Sequence, residues 1–323
     1  MNFLPYLCIH FLENGIISPK IINYITPLYL MFQSHIGEIA GLGVSICWTI
    51  SALTFEKAGH KIGSLSVNFI RLLMAIVFIG ITTYFTRGFF FPIDATPYQW
   101  FWLGLSGFVG FFLGDMFLFK SYMVIGSRTA ALIMSFAPML TAIIGWFFLS
   151  EKLSGMNIAG ILVSITGIII AISNHKMKLN IPFKGFLLAF GGASGQAVGL
   201  ILSKKGMGNY DPIAATQIRA LFGILSFAIL ITVLRRWKKV GNSFTHTSSM
   251  KFLTVGSIFG PFIGVALSLF AIQQTKTGIA STLMALVPVF IILPSAIMFK
   301  EKITAQQVIG AAVSIGGASL FFM

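Results

Sequence analysis

Apolar runs about twenty residues long recur along the chain, separated by short stretches of charge, Gly, Pro and Ser. A bilayer core needs about 20 apolar residues per helix. Ten runs meet that length: 36–55, 65–86, 97–119, 128–149, 154–173, 185–203, 213–234, 252–273, 278–299 and 304–322. Strands of a membrane barrel would be about ten residues long and strictly alternating; these runs are longer and do not alternate. The pattern predicts an all-α integral membrane protein with ten transmembrane helices and only short loops between them. Residues 1–34 stand apart, because Glu13, Asn14, Pro19 and Lys20 interrupt their apolar stretch. They lack the basic start, apolar centre and small-residue cleavage site of a signal peptide. An N-terminal extension is expected there, poorly ordered as untethered termini usually are, with an interfacial helix as the alternative.

The ten runs divide into two sets of five. Shifting the chain by 150 places residues 126–173 on 276–323, where ten of 48 positions are identical. The matches include Met134 with Met284, Pro138 with Pro288, Glu151-Lys152 with Glu301-Lys302, Gly160 with Gly310 and Val163-Ser164-Ile165 with Val313-Ser314-Ile315. Chance alignment of apolar helices would pair Leu with Ile, not Pro, Glu and Lys with themselves. A shift of 148 aligns the earlier part, Ile70-Arg71 with Ile218-Arg219 and Lys57 with Lys205. Residues 35–174 and 184–323 are therefore expected to be two copies of one five-helix unit. Five is odd, so the second copy must enter the membrane inverted, an architecture typical of secondary transporters with a substrate site between the halves.

Composition agrees with the pattern and removes other classes. The chain is 56% hydrophobic and 9% charged, against about 25% charged in soluble domains. Its two cysteines, Cys8 and Cys47, exclude a disulfide framework. The net charge of +14 would suggest nucleic acid in a soluble protein; here it points to basic loops against anionic headgroups, and no nucleic-acid partner is expected. The five histidines are scattered, and there is neither metal-ligand spacing nor a phosphate-cradling Gly loop. No enzymatic activity, metal or cofactor is expected. Of the Lys and Arg outside the spans, 14 fall in loops 1–2, 3–4, 5–6, 7–8 and 9–10 and 6 elsewhere, which puts both termini outside the cytoplasm.

The residues Ser127-Arg128-Thr129-Ala130-Ala131-Leu132, Ala137-Pro138, Leu149-Ser150-Glu151-Lys152 and Gly160 to Gly167, with their partners around Pro288 and Glu301, resemble the EamA-type transporters of the drug/metabolite transporter superfamily. Arg71 and Arg219 match the Arg that such proteins often carry early in the second helix of each unit. The resemblance covers residues 36–323. It implies the ten-helix fold and a transported small molecule, with amino acids, sugars and organic cations all represented. It also implies termini inside the cytoplasm, against the charge count, so orientation stays open. The small multidrug exporters of the superfamily use a Glu buried in the first helix; here that helix has only Glu38 near its start, where headgroups are expected to reach it.

Charges inside apolar spans are costly and are functional candidates by default. Arg71 lies about 9 Å deep and Asp115 about 6 Å deep, at 1.5 Å per residue, from the same face. The two are expected to pair, either as a structural pin or with Asp115 as a proton or cation site gated by Arg71. Arg219 has no such acid, because Val265 stands where the first unit has Asp115. It is left with Gln273, Gln274, helix-end carbonyls or an anionic substrate group, or else snorkels to the headgroups. Trp48 and Gln196 align at mid-span and, with Gln217, are expected to line a central cavity. Pro138 and Pro288 are expected to break their helices at equivalent places and free carbonyls that bend or bind.

These readings converge on a secondary transporter in the cell membrane of a bacterium or archaeon. It is expected to export a small polar metabolite, such as an amino acid or related carboxylate, by alternating access between inverted repeats. Its partners would be that substrate and the lipid bilayer, with a proton gradient as candidate driving force; oligomeric state is not legible. The alternative is a non-transporting scaffold or lipid-handling protein, which needs no polar cavity.

Overall fold

A computed structural model describes residues 34–172, 182–292, 294 and 304–320. The N-terminal extension, apart from Ser34, and the pair Glu301-Lys302 lie outside the described residues. Among those residues the secondary structure is helical, with no strand. In chain order the longer helices are α1 (Ile36–Ile62), α2 (Ser64–Arg87), α3 (Pro97–Ser127), α4 (Ala137–Leu149), α5 (Gly155–Ile172), α6 (Phe183–Met207), α7 (Pro212–Val233), α8 (Thr247–Gln274), α9 (Thr277–Phe290) and α10 (Ala305–Ser319), with a short helix at Trp237–Ser243 between α7 and α8. Six of them, α1, α2, α3, α6, α7 and α8, are long and apolar enough to cross a membrane. Among the described residues, the stretches expected as spans at 128–149, 154–173, 278–299 and 304–322 hold shorter apolar helices. Residues 173, 293, 295–299 and 321–322 of those stretches lie outside the described residues.

Proline chemistry explains two of the short ones. Pro138 and Pro288 have no N–H to donate four residues back and clash with that turn. The chain stops being helical at 135–136 and again at 285–286, one turn before each proline. The half-helices 128–134 and Thr277–Met284 therefore precede α4 and the end of α9. In the first repeat Gly126, at φ +75°, separates α3 from its half-helix.

The long third helix of each repeat widens at matched positions. π-helical turns occupy Gly107–Gly114 in α3 and Ile258–Gly264 in α8, a feature often found at functional sites. Glycine lets the first helix of the other repeat approach these turns. A Cβ at Gly195 of α6 would lie 2.5 Å from Gly114 Cα, so no larger residue fits. Ser106 Oγ donates to Gly199 O at 2.7 Å across the same seam. The counterpart is made by α1, where Phe55 and Ser51 pack on Gly256 and Gly260.

Elsewhere the two copies meet directly. Ser164 Oγ on α5 donates to Ser314 O on α10 at 3.2 Å, and Ser314 Oγ donates to Ser164 O at 3.1 Å. Residues equated by the 150 shift thus bond reciprocally, as a two-fold relation between the copies requires. Close packing and interhelical hydrogen bonds hold helices together where lipid supplies no hydrophobic drive. Large side chains such as Phe85, Phe183 and Val233 are correspondingly left on the outside.

Candidate functional site

A cavity of about 140 Å³ lies between the repeats, lined from α1, α2, α3, α6, α7, α8 and the residues around both proline breaks. Arg71, Asp115, Gln196, Arg219, Trp48 and Pro288 all contribute to its wall. Much of the remaining lining is apolar, including Phe55, Phe111, Leu200, Met134 and Met284.

The π-turn of α3 ends at Asp115 and delivers its carboxylate to the cavity wall. Arg71 Nη2 donates to Asp115 Oδ2, and Gln196 Nε2 donates to Oδ1 at 2.9 Å. Arg71 Nε donates to Asn68 Oδ1 at 3.0 Å, and Asn68 Nδ2 reaches the Asp115 carbonyl at 3.4 Å. The guanidinium also lies 4.7 Å from the Phe119 ring centre. Arg71 and Asp115 are 4% and 3% exposed, so each is compensated where water cannot help. A buried pair persists only with such geometry and added hydrogen bonds.

Arg219 occupies the matching place in the second repeat without matching partners. It is 2% exposed, and its guanidinium stacks 4.7 Å from the Phe111 ring centre. Its Nε and Nη1 are buried with no hydrogen-bond partner. Snorkelling is thereby corrected: the head is enclosed in protein. Gln273 donates instead to the carbonyls of Gly208 at 2.7 Å and Tyr210 at 3.1 Å. The α3 π-turn fixes Arg219 from behind, since a Cβ at Gly107 would lie 2.2 Å from Arg219 O. An arginine is not deprotonated to relieve such isolation, so its charge is held in the cavity wall.

Trp48 lines the cavity with its indole against Gly264. Gln217 does not line it, contrary to expectation. It is fully buried and donates from Nε2 to Phe90 O at 2.7 Å, anchoring the α2–α3 loop. The reason is helical phase: two residues before Arg219 is about 200° around the helix, so the two side chains cannot face one space.

Glu38 also departs from expectation. It is 7% exposed and accepts from Thr275 Oγ1 at 2.6 Å, inside the protein rather than among headgroups. It belongs to a set of contacts between repeats at one end of the molecule that sequence reasoning missed. Lys204 Nζ meets Glu151 Oε1 and donates to Thr275 O, both at 2.7 Å. Glu151 Oε2 accepts from Thr277 N at 2.8 Å and Oγ1 at 2.7 Å. At the same end Arg87 pairs with Asp94, which accepts from Tyr210 OH at 3.0 Å. Burial leads in holding the Tyr210 phenol above its usual range, so it stays a donor at neutral pH. The signal was scarcity: the chain has only eight acids, so an acid at a span end is a candidate for a specific pairing. Among the described residues no group of three His, Cys, Asp or Glu could hold a metal.

The chain matches the EamA-like transporter family twice, over residues 35–173 and 183–323. It belongs to that family. This EamA-like chain is 28% identical over 197 residues to a Salmonella typhimurium protein named probable amino-acid metabolite efflux pump, covering 58% of this chain and 64% of that one. An uncharacterized transporter of Clostridium kluyveri is 26% identical over 196 residues, covering 59% and 62%. A threonine/homoserine exporter of Salmonella typhimurium is 30% identical over 137 residues, 39% of this chain and 42% of its own. The chain thus spans less than two thirds of the length of these curated relatives. A crystal structure at 18% identity superposes with a TM-score of 0.65, covering 88% of this chain and 96% of the other, and shares the fold. The EamA-like chain is accordingly a multi-pass membrane protein of a transporter family.

Proposed function

We propose that this EamA-like chain is a secondary transporter that exports an amino acid or related carboxylate by alternating access between inverted repeats. One observation carries the reading: a buried arginine, two of whose guanidinium nitrogens lack a hydrogen-bond partner, is part of the wall of a cavity built by both repeats. Arg71 and Asp115 cancel, so Arg219 leaves the wall with one net positive charge. A bound carboxylate would satisfy the planar guanidinium fork, which a single ammonium cannot imitate. Two similar copies that exchange roles would expose this site to each side in turn. The contacts between repeats around Lys204 and Glu151 would hold one side closed.

The test has two parts. Cells with and without the protein are compared for released metabolites, and counterflow is then measured in liposomes. Transport is expected to fall at least about tenfold, a loss of about 1.4 kcal/mol of binding, in both Arg219→Lys and Arg219→Gln at equal expression. Equal activity in the Lys variant would sink the carboxylate assignment. No released metabolite and no counterflow would favour the non-transporting alternative.

A further inference from the structure

We propose that the two proline breaks form a subsite for the substrate's ammonium group, so that the cavity takes a zwitterion rather than a simple anion. The inference rests on the transport reading and assigns the second half of its ligand. Pro138 and Pro288 each lack the N–H that would bond four residues back. The carbonyls of Met134 and Met284 therefore lose their helical donors at positions equated by the 150 shift. The N–H groups in the breaks go elsewhere: Ser135 and Phe136 donate to the carbonyls of Ala131 and Ile133, and Ala285 and Leu286 to those of Ser281 and Leu283.

Both breaks open on the same space. Met134, Ser135 and Ala137 line the cavity from one repeat, and Met284, Ala285 and Val287 from the other. Ser281 Oγ donates to Thr141 Oγ1 at 3.3 Å, tying α9 just before its break to α4 just after the other. Two half-helices thus end beside the cavity. The carbonyls of Met134 and Met284, for which a proline cannot serve as donor, add partial negative charge at these two termini. Carbonyls at broken helices serve small cations in membrane transporters generally.

Elimination points the same way. Among the described residues Asp115 is the one acid in the cavity wall, and both of its oxygens are engaged by Arg71 and Gln196. An ammonium entering with a carboxylate would find no free acid. Backbone carbonyls at the breaks are acceptors that Arg71 and Gln196 do not already engage. The apolar part of the wall, including Leu200 and Val265, suits an aliphatic side chain.

Isothermal titration of the purified full chain with three probes tests this: leucine, 4-methylpentanoate, which lacks the ammonium, and 3-methylbutylamine, which lacks the carboxylate. Leucine is expected to bind about tenfold or more tighter than either, a difference of about 1.4 kcal/mol. Arg219→Gln should remove the advantage over the amine. The double variant Pro138→Ala/Pro288→Ala restores the missing N–H groups, and it should weaken leucine while leaving 4-methylpentanoate unchanged. Binding of 4-methylpentanoate as tight as leucine in the unaltered protein would overturn the ammonium subsite and leave carboxylate transport standing. Binding by none of the three would overturn the subsite, while the metabolite comparison decides the transport reading separately. Should the double variant not fold, the three-probe comparison in the unaltered protein still decides.

Discussion

Arg71 and Arg219 are equated by the duplication and buried alike, at 4% and 2% exposure, yet their surroundings have diverged. Arg71 has Asp115, Asn68 and Gln196 around one carboxylate. At the corresponding positions Arg219 has Val265 for the acid, Thr216 for the Asn and Trp48 for the Gln. The backbone framework is similar in both repeats, since each third helix carries a π-turn at matched positions. Duplication therefore supplied two equivalent cationic positions, and substitution neutralised only one. A scaffold has no use for the second. A transporter does, because an uncompensated guanidinium in a cavity is cheapest to keep when a ligand neutralises it in each cycle.

The largest effect should come from damaging the compensated half. Asp115→Ala strands Arg71 without its counter-charge, and breaking a buried pair typically costs about 3–5 kcal/mol. Thermal unfolding in detergent should show that loss, while Arg71→Met combined with Asp115→Leu should recover most of it. Asp115→Asn adds a sharper distinction. Full stability with transport that no longer depends on pH would make Asp115 a proton site instead of a pin.

The comparison can also be erased from the other side. Val265→Asp places an acid where the first repeat has one. It should raise the unfolding temperature by pairing Arg219, and it should weaken leucine binding about tenfold or more because the carboxylate position is filled. Stabilisation without loss of binding would show that Arg219 does not hold the ligand.

Much of this arrangement was legible in the sequence because it is periodic or rare. Apolar runs located the helices, and the Pro, Glu and Lys matches exposed the duplication. Depth along the helix brought Arg71 to Asp115. What failed was angular. Gln217 was assigned to the cavity from its level in the membrane, but its phase on α7 turns it toward the Phe90 carbonyl. The π-turns were invisible as well, since Gly107–Gly114 reads as an ordinary apolar stretch. The break before Pro138 could be anticipated, whereas the shortness it imposes on α4 could not. Glu38 was misplaced because linear distance from a helix start ignores Thr275, a neighbour 237 positions away.

The smallest predicted effect tests symmetry where it has been kept. Ser164 and Ser314 exchange equivalent hydrogen bonds at 3.2 and 3.1 Å across the α5–α10 seam, and both are fully buried. Hydrogen bonds between membrane helices average about 0.6 kcal/mol, so Ser164→Ala and Ser314→Ala should each lower stability by about that amount. More telling than the size is the equality of the two losses, measured by unfolding in the same detergent. At the arginines the same kind of paired substitution should give unequal losses: Arg71→Met abandons an acid, and Arg219→Met abandons none. Unequal losses at the serines would mean that the repeats have diverged throughout, and the contrast between Arg71 and Arg219 would then lose its claim to be a selected difference.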